Sequence, residues 1–149
     1  NLIGYHNLPE ITAERLLPDG WFRTRDIVRS DADGYIEVIG RADDRISCAG
    51  ESIYPKEVEN ILMEHPQVAD VAVVPMADEV KGEVPVAFVV EKKAGSVTAD
   101  ELKQFFLKHG APYMHPRRVF MVPEMPLTPA KKIDRSALKQ IAEDARASA

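Results

Sequence analysis

Two short runs of apolar, β-branched residues, Val68 to Val74 and Val84 to Val90, most constrain what this chain can fold into. Runs of this length and composition are typical of buried strands, because branched side chains pack well on a pleated surface. A third run, Arg118 to Val122, predicts another short strand. These runs alternate with helical patterns, so we expect an α+β fold in which a small three-stranded sheet carries packed helices.

The helical segments have recognisable start and stop signals. Pro55 suits a first helical position, and the apolar residues after it repeat at helical spacing until His65-Pro66. Thr98 and Glu101 predict a capping box, and Asp134 predicts the cap of a last helix. The residues that we expect these helices to bury are Val58, Ile61, Leu62, Leu102, Phe105, Phe106, Leu138 and Ile141.

The first 40 residues follow a different pattern. A helical stretch from Glu10 to Leu17 is stopped by Pro18-Asp19-Gly20, and two strand-like runs follow, Phe22 to Arg29 and Tyr35 to Ile39. The segment Asp31 to Gly34 between them has the Asp and Gly residues of a tight reversal, which predicts a hairpin. The polar segment 41–45 then interrupts the apolar pattern and predicts a linker between two domains. Because the chain begins at Asn1 rather than at a methionine, it reads as a fragment of a longer protein.

Composition excludes several classes of protein. With 24 acidic and 19 basic residues spread along the chain, the net charge is −5, whereas a nucleic-acid partner requires a basic patch. A single cysteine cannot form an internal disulfide, and the four histidines lack the spacing of a zinc site. No apolar run approaches the roughly 18 residues that span a bilayer. We expect a cytoplasmic protein without a structural metal.

The loop from Pro126 to Arg135 carries two adjacent lysines, Lys131 and Lys132. Prolines at 123, 126 and 129 disfavour regular pairing and stiffen the loop, an arrangement suited to delivering a cation to a substrate. The alternative is a pair of ordinary surface lysines, which is the commoner case for an isolated pair. The segments upstream favour the functional interpretation.

Four segments, Gly20 to Ile27, Gly34 to Ile36, Gly40 to Glu59 and Thr128 to Arg135, occur in one order along the chain. Together they closely resemble the carboxy-terminal part of the adenylate-forming acyl-CoA synthetases, a superfamily that includes luciferases and peptide-synthetase adenylation domains. The resemblance covers nearly the whole chain. It implies a small carboxy-terminal lid domain, residues 46–149, preceded by a hairpin that ends the large adenylating domain in residues 1–40.

The resemblance implies an ATP-dependent acid:CoA ligase. In this family a carboxylate attacks the α-phosphate of ATP to give an acyl-adenylate and pyrophosphate, and the thiol of coenzyme A then displaces AMP. The implied cofactors are ATP, coenzyme A and Mg²⁺. The phosphate loop, the metal site and the acid-binding pocket belong to the large amino-terminal domain in this family. That domain is the expected intramolecular partner, and the chain alone is expected to be inactive.

Single residues carry the family's roles by position. Lys132 matches the catalytic lysine, which bridges the carboxylate and α-phosphate oxygens. Asp26 matches the aspartate that holds the ribose hydroxyls of ATP, and Arg41 matches a second ribose- or phosphate-facing residue. Asp43 matches the hinge about which the lid rotates between its two poses. Without the resemblance, each would be an ordinary surface or linker residue.

The coenzyme A path is the less specific part of the resemblance. Ala49 and Gly50 match the segment lining the pantetheine tunnel, although a turn glycine between two strands is an equal alternative. Arg117, next to Arg118, is a candidate for the phosphates of coenzyme A, although such arginines are common at protein surfaces. Cys48 is interpreted as a small buried hydrophobic residue rather than a nucleophile, since no histidine is placed to activate it.

The sequence departs from the family pattern at three positions. Lys131 and Arg25 replace glycines, and we expect that a side chain at 131 removes the freedom to adopt a positive φ. Lys131 would then alter the loop or share the role of Lys132. Ser47 stands where many relatives have a second lysine for thioester formation, so that contribution is expected to be missing.

Two further functions stay open. The chain is also compatible with an adenylation domain that loads a carrier-protein thiol, or with an oxidative relative, although Ile53 to Glu59 is more similar to the acyl- and aryl-CoA ligases. Alternatively, the small α+β unit is a non-catalytic binding module, in which Lys132 and Asp26 are ordinary surface groups. The acid is undetermined, and aromatic, medium-chain and long-chain acids are all compatible.

Overall fold

The computed structural model describes residues 2–148, and the chain divides into two compact units, Asn1–Asp43 and Asp44–Ala149. The first unit contains α1 (Pro9–Arg15), β1 (Asp26–Ser30) and β2 (Ile36–Arg41). The second contains β3 (Ile46–Cys48), β4 (Glu51–Ile53), α2 (Pro55–Met63), β5 (Val68–Asp78), β6 (Gly82–Glu91), α3 (Ala99–His109), β7 (Arg118–Met121) and α4 (Arg135–Ala147). Short 3-10 turns lie at Ala42–Asp44 and Pro112–Met114.

The first unit contains the predicted hairpin. Strands β1 and β2 pair antiparallel, and the Asp31 carboxylate accepts hydrogen bonds from the N–H groups of Asp33 and Tyr35 at 3.0 and 2.9 Å. These bonds fix the reversal, with Gly34 at a φ of +85°. The pairing shifts register between Ile27 and Val28, which places a bulge close to the end of the hairpin. Strand β1 begins at Asp26, four residues later than the sequence predicted.

The second unit is built on one five-stranded sheet. Its central strand, β6, pairs antiparallel with β5 along one edge and parallel with β7 along the other. The β3–β4 hairpin joins β6 through a pairing of Cys48 with Gly82. The α+β class is confirmed and all three predicted strands are present, but the sheet has five strands rather than three. The two additional strands have three residues each, too few to give a readable sequence pattern.

Strand β5 extends beyond the predicted end at Val74, and β6 begins before the predicted start at Val84. A tight turn joins the two strands. The Asp78 carboxylate accepts hydrogen bonds from the N–H groups of Lys81 and Val80, at 2.9 and 3.0 Å. These bonds stabilise the ionised carboxylate and hold the pKa of Asp78 below its usual value. The turn therefore fixes the register of the two longest strands.

The helices α2, α3 and α4 pack against the sheet. The fully buried residues that they contribute include Val58, Leu62, Leu102, Phe106 and Leu138. The capping box at the start of α3 is confirmed, because the Thr98 side chain and the Glu101 side chain each bond the other's backbone N–H. The prediction that Ile141 faces inward is wrong, since it is 45% exposed. Ala142, four residues after Leu138, takes the inward position instead.

Within residues 2–148, every helix is too short or too polar to cross a membrane.

Candidate functional site

The loop before α4 is a tight reversal closed by its own backbone. The Thr128 N–H donates to the Lys132 carbonyl at 2.7 Å, and the Lys131 N–H donates to the Thr128 carbonyl at 2.8 Å. The Thr128 hydroxyl also accepts from the Lys132 N–H at 3.3 Å. Leu127 and Ile133 form a single antiparallel bridge below this turn. Lys132 is therefore held at the end of a compact, self-bonded reversal.

Lys131 takes the left-handed conformation that this reversal requires. A turn followed by one residue at positive φ is a common three-residue hairpin loop, and glycine is favoured at that residue. Lys131 has a φ of +56°, so the expectation that a side chain prevents a positive φ is wrong. The conformation costs an L-residue on the order of 1 kcal/mol. The side chains of Lys131 and Lys132 are both exposed.

The helix that follows fixes the other end of the loop. The Asp134 side chain accepts hydrogen bonds from the N–H groups of Ser136 and Ala137, each at 3.1 Å, and so caps α4 as predicted. The Asp134 N–H in turn donates to the Pro126 carbonyl at 2.8 Å. The loop thus starts and ends at one point, and its lysines lie at the opposite end.

In the first unit, the hairpin brings together the two predicted nucleotide-binding residues. Asp26 and Arg41 are opposite each other in the β1–β2 register, and the Arg41 Nη1 lies 3.2 Å from the Asp26 Oδ1. The Arg41 Nη2 also donates to the Thr24 carbonyl, at 3.4 Å. Asp26 keeps a second carboxylate oxygen, and both side chains are partly exposed. The Asp26 carboxylate can therefore still accept a hydrogen bond from a ligand, and the Arg41 guanidinium can donate one.

Arg25, the residue before Asp26, is the second departure from glycine, and it also has a positive φ, of +64°. Its guanidinium forms an ion pair with the Asp43 carboxylate. Sequence reasoning left the bulk of Arg25 without a role. The contact joins positions 18 residues apart, and neither residue by itself gives a signal of it.

Ala49 and Gly50 form the two-residue loop of the β3–β4 hairpin. Their φ values are +52° and +88°, as a type I′ turn requires at both central residues. A Cβ added at Gly50 would meet no atom within 4 Å, so the local backbone conformation is what favours glycine there. The Ala49 N–H donates to the Lys81 carbonyl at 2.9 Å and attaches the turn to the β5–β6 connection. Cys48, next to the turn, is buried as predicted.

Arg117 lies at the entrance to β7 beside an open cleft of about 470 Å³ that Arg118, Arg146 and Asp78 also line. The backbone N–H of Arg117 donates to the Pro85 carbonyl at 2.8 Å. The Nε of its side chain is buried and has no hydrogen-bond partner within residues 2–148. Burial, followed by the positive charges of Arg117 and Lys103, lowers the pKa of nearby His115. These cations could attract an anion, although acidic Asp78 lies in the same cleft.

The described residues contain no group of three or more His, Cys, Asp or Glu side chains that could hold a metal ion. In the second unit, the predicted site residues lie on separate elements: Lys132 before α4, Ala49 and Gly50 in the β3–β4 turn, and Arg117 before β7.

Comparison with known proteins gives one consistent result. Residues 57–132, about half of the chain, match the sequence model of the AMP-binding enzyme C-terminal domain family. The chain is 41% identical over 138 residues to a 2-succinylbenzoate–CoA ligase of Geobacillus sp. (strain WCH70), covering 93% of this chain and 28% of the relative. It is 43% identical over 136 residues to a 4-coumarate–CoA ligase of Vanilla planifolia, covering 91% of this chain and 25% of the relative.

Solved structures agree with these relatives. The fold matches the anthranilate CoA ligase AuaEII in complex with anthranoyl-AMP with a TM-score of 0.85 and 30% identity, over 97% of this chain and 28% of that structure. It matches the amide bond synthetase McbA from Marinactinospora thermotolerans with a TM-score of 0.85 and 34% identity, over 93% of this chain and 28% of that structure. The chain thus spans about a quarter of the length of the proteins that it matches.

Proposed function

The chain belongs to the AMP-binding enzyme C-terminal domain family, and on this premise we propose that it is the C-terminal part of an ATP-dependent acid:CoA ligase. In the first half-reaction, a carboxylate oxygen bonds to the α-phosphorus of ATP and pyrophosphate leaves. In the second, the sulfur of coenzyme A bonds to the acyl carbon and AMP leaves. The products are an acyl-CoA thioester, AMP and pyrophosphate.

The observation that carries this proposal is the exposed Lys132 on a self-bonded reversal anchored to a capped helix. A stiff loop restricts the positions that the ammonium group samples, which lowers the entropy lost when it meets a substrate. We assign Lys132 the role of bridging the carboxylate and α-phosphate oxygens while negative charge redistributes between them. Its neighbour Lys131 supplies the left-handed residue of the turn.

Asp26 and Arg41 are assigned to the nucleotide. A carboxylate with a free oxygen suits the two adjacent hydroxyls of a ribose, and the Arg41 guanidinium 3.2 Å away orients that carboxylate. The same guanidinium retains N–H groups for a phosphate, because arginine carries five donors. We therefore assign the sugar and one phosphate of ATP to this pair.

The first unit has little interior of its own, which supports assigning it to a larger domain. Gly40 is its one buried residue among residues 2–43, and Trp21, Tyr35 and Ile36 are 73%, 76% and 69% exposed. The unit thus exposes several large apolar side chains while it buries almost none of its own residues. We assign residues 1–40 to the end of the large adenylating domain, residues 41–45 to the hinge with Asp43 at its centre, and residues 46–149 to the lid.

Coenzyme A is assigned to the Ala49-Gly50 turn and to Arg117, whose Nε has no hydrogen-bond partner within residues 2–148. Mg²⁺ is assigned to the large domain, as the family resemblance implies. Aromatic acids are the first class to test as substrates, because the relatives include 2-succinylbenzoate– and 4-coumarate–CoA ligases. We propose the cytoplasm as the location of the reaction.

The test is a pair of assays on the full-length protein that carries this chain. Acid-dependent exchange between pyrophosphate and ATP measures adenylation, and release of AMP from preformed acyl-adenylate with coenzyme A measures thioester formation. Lys132→Ala should abolish adenylation while sparing thioester formation, and Lys131→Ala should leave adenylation close to wild type. Unchanged pyrophosphate exchange in Lys132→Ala would refute the assignment.

A second candidate concerns the acceptor of the acyl group. McbA is described as an amide bond synthetase, so an amine is the second candidate acceptor, in place of coenzyme A. A carrier-protein thiol is the third. Supplying each acceptor in turn to the preformed acyl-adenylate decides among them, because all three share the first half-reaction.

A further inference from the structure

Glu59 on α2 is the one charged residue that is buried within residues 2–148, with 4% of its surface exposed. A buried carboxylate is costly unless it is paired and hydrogen-bonded, because it loses its hydration. Its presence in the core therefore requires partners close by. None of the roles assigned above uses this residue.

The partners of Glu59 come from two other elements. Its Oε1 accepts hydrogen bonds from the Val73 N–H on β5, at 2.9 Å, and from the Arg135 Nη2 on α4, at 2.8 Å. The Arg135 Nη1 donates to the Val73 carbonyl at 2.7 Å, which closes the network. Bonds between a guanidinium and a carboxylate are among the strongest in proteins. The network therefore joins α2, β5 and α4 at one point.

That point is the base of the Lys132 loop. Arg135 is the first residue of α4 and follows Lys132 by three positions. Asp134, between them, caps the helix and donates its N–H to the Pro126 carbonyl at the start of the loop. Whatever fixes Arg135 also fixes both ends of the loop.

The positive charge of Arg135 lies at an unfavourable position in its helix. The amino terminus of a helix carries partial positive charge, and a cation in the first turn is unfavourable there. Glu59 supplies the negative charge that offsets this placement. The side chain of Arg135 is 35% exposed, whereas that of Glu59 is 5% exposed, so the pair is anchored from the buried side.

We propose that Arg135 and Glu59 are positioning residues for adenylation, which hold the Lys132 loop at a fixed place on the lid. The proposal rests on the function proposed for Lys132. Because the pair acts through Lys132, its loss should slow adenylation and spare thioester formation. A purely structural role would instead lower both half-reactions together, in proportion to the fraction of folded protein.

The test uses Arg135→Gln and Glu59→Gln in the full-length protein, with Lys139→Gln as the control. Lys139 is exposed and lies one turn further along α4, and its change removes one positive charge, as Arg135→Gln does. Both variants of the pair should lower pyrophosphate exchange about 10- to 100-fold, as expected for a misplaced catalytic group, with thioester formation within about twofold of wild type. Arg135→Lys should restore part of the exchange, and the control should lose none. Equal losses in both half-reactions would overturn the proposal.

One further measurement separates this proposal from the function on which it rests. Hydrogen exchange of residues 126–134 does not depend on activity, and it should be at least about tenfold faster in Arg135→Gln than in the control. Unchanged loop exchange would overturn the positioning role even if the Lys132 assignment holds. Faster loop exchange in a protein that lacks acid-dependent adenylation would contradict only the proposed function.

Discussion

Arg25 forms an ion pair with Asp43, so a residue that replaces the family's usual glycine contacts the position assigned to the hinge. The Arg25 carbonyl also accepts a hydrogen bond from the Ala42 N–H at 2.8 Å, directly before Asp43. Both paired side chains are more than one-third exposed, which limits the contribution of the pair to at most about 1 kcal/mol. Such a pair biases the backbone at Asp43 without locking it.

The hinge assignment predicts that Asp43→Pro uncouples the two half-reactions. Proline fixes φ near −65°, a value compatible with the 3-10 turn at Ala42–Asp44, and so removes the rotation that a second pose needs. In the full-length protein, one half-reaction should continue and the other should stop. Asp43→Ala is the control, because it removes the Arg25 ion pair but leaves φ free, and both half-reactions should persist. Equal loss of both half-reactions in Asp43→Pro, or of neither, would count against the hinge.

We expect the second unit to be more stable in Lys131→Gly than in Lys131→Ala. The native φ of +56° is strained for lysine and free for glycine, although glycine loses more backbone entropy on folding. We expect a net gain of about 0.5–1 kcal/mol over Lys131→Ala, which removes the same side chain but retains the strain. The midpoint of urea unfolding measures this difference in stability, provided that the dependence of the unfolding free energy on urea concentration is the same in both variants. A midpoint for Lys131→Gly at or below that of Lys131→Ala would show that residue 131 is not strained.

Local signals in the sequence were sufficient for most of the sheet and for the helix ends. The strand runs from Val68 and Val84, the Thr98 capping box and the Asp134 cap each lie within a few residues, and each is present in the structure. The β3–β4 hairpin was not predicted as part of the sheet, because three-residue strands have no measurable period.

Contacts between distant residues account for the rest of what the sequence did not indicate. Glu59 and Arg135 are 76 positions apart, and nothing in either segment indicates that a carboxylate is buried with a guanidinium. The pairing of Asp26 with Arg41 depends on a register set by a bulge, which single-residue preferences do not specify. The backbone of Lys131 was predicted wrongly because the closed turn overrides the preference of lysine.

Gly50→Ala separates the two interpretations of the β3–β4 turn. An added methyl group meets no neighbour within 4 Å, but the φ of +88° makes alanine unfavourable by about 1 kcal/mol. If pantetheine passes this turn, the KM for coenzyme A should rise severalfold while pyrophosphate exchange is unchanged. Gly34→Ala, at a φ of +85° in the β1–β2 turn, is the matched control for strain alone. The same KM shift in both variants would leave Gly50 as a turn residue only.

Acid should destabilise the second unit partly through Glu101. Its carboxylate accepts hydrogen bonds from the Thr98 N–H and the Thr98 hydroxyl, both at 2.8 Å, and the backbone bond is the main cause that lowers the pKa of Glu101 below its usual 4.5. A lowered folded-state pKa means that the ionised form favours folding. This contribution is complete above pH 4.5, the value expected for the unfolded chain, and disappears as the pH falls through the lower folded-state value.

The difference in melting temperature between wild type and Glu101→Gln should therefore be constant from pH 7 to about pH 5 and shrink below it. Glutamine retains one acceptor oxygen but no charge, so the stability of the Glu101→Gln protein should depend less on pH in the acid range. Glu124→Gln, which removes an exposed carboxylate from the loop before Pro126, is the control for a change of net charge. A difference that grows as the pH falls would have the wrong sign, because it would require that protonation of Glu101 strengthens the capping box.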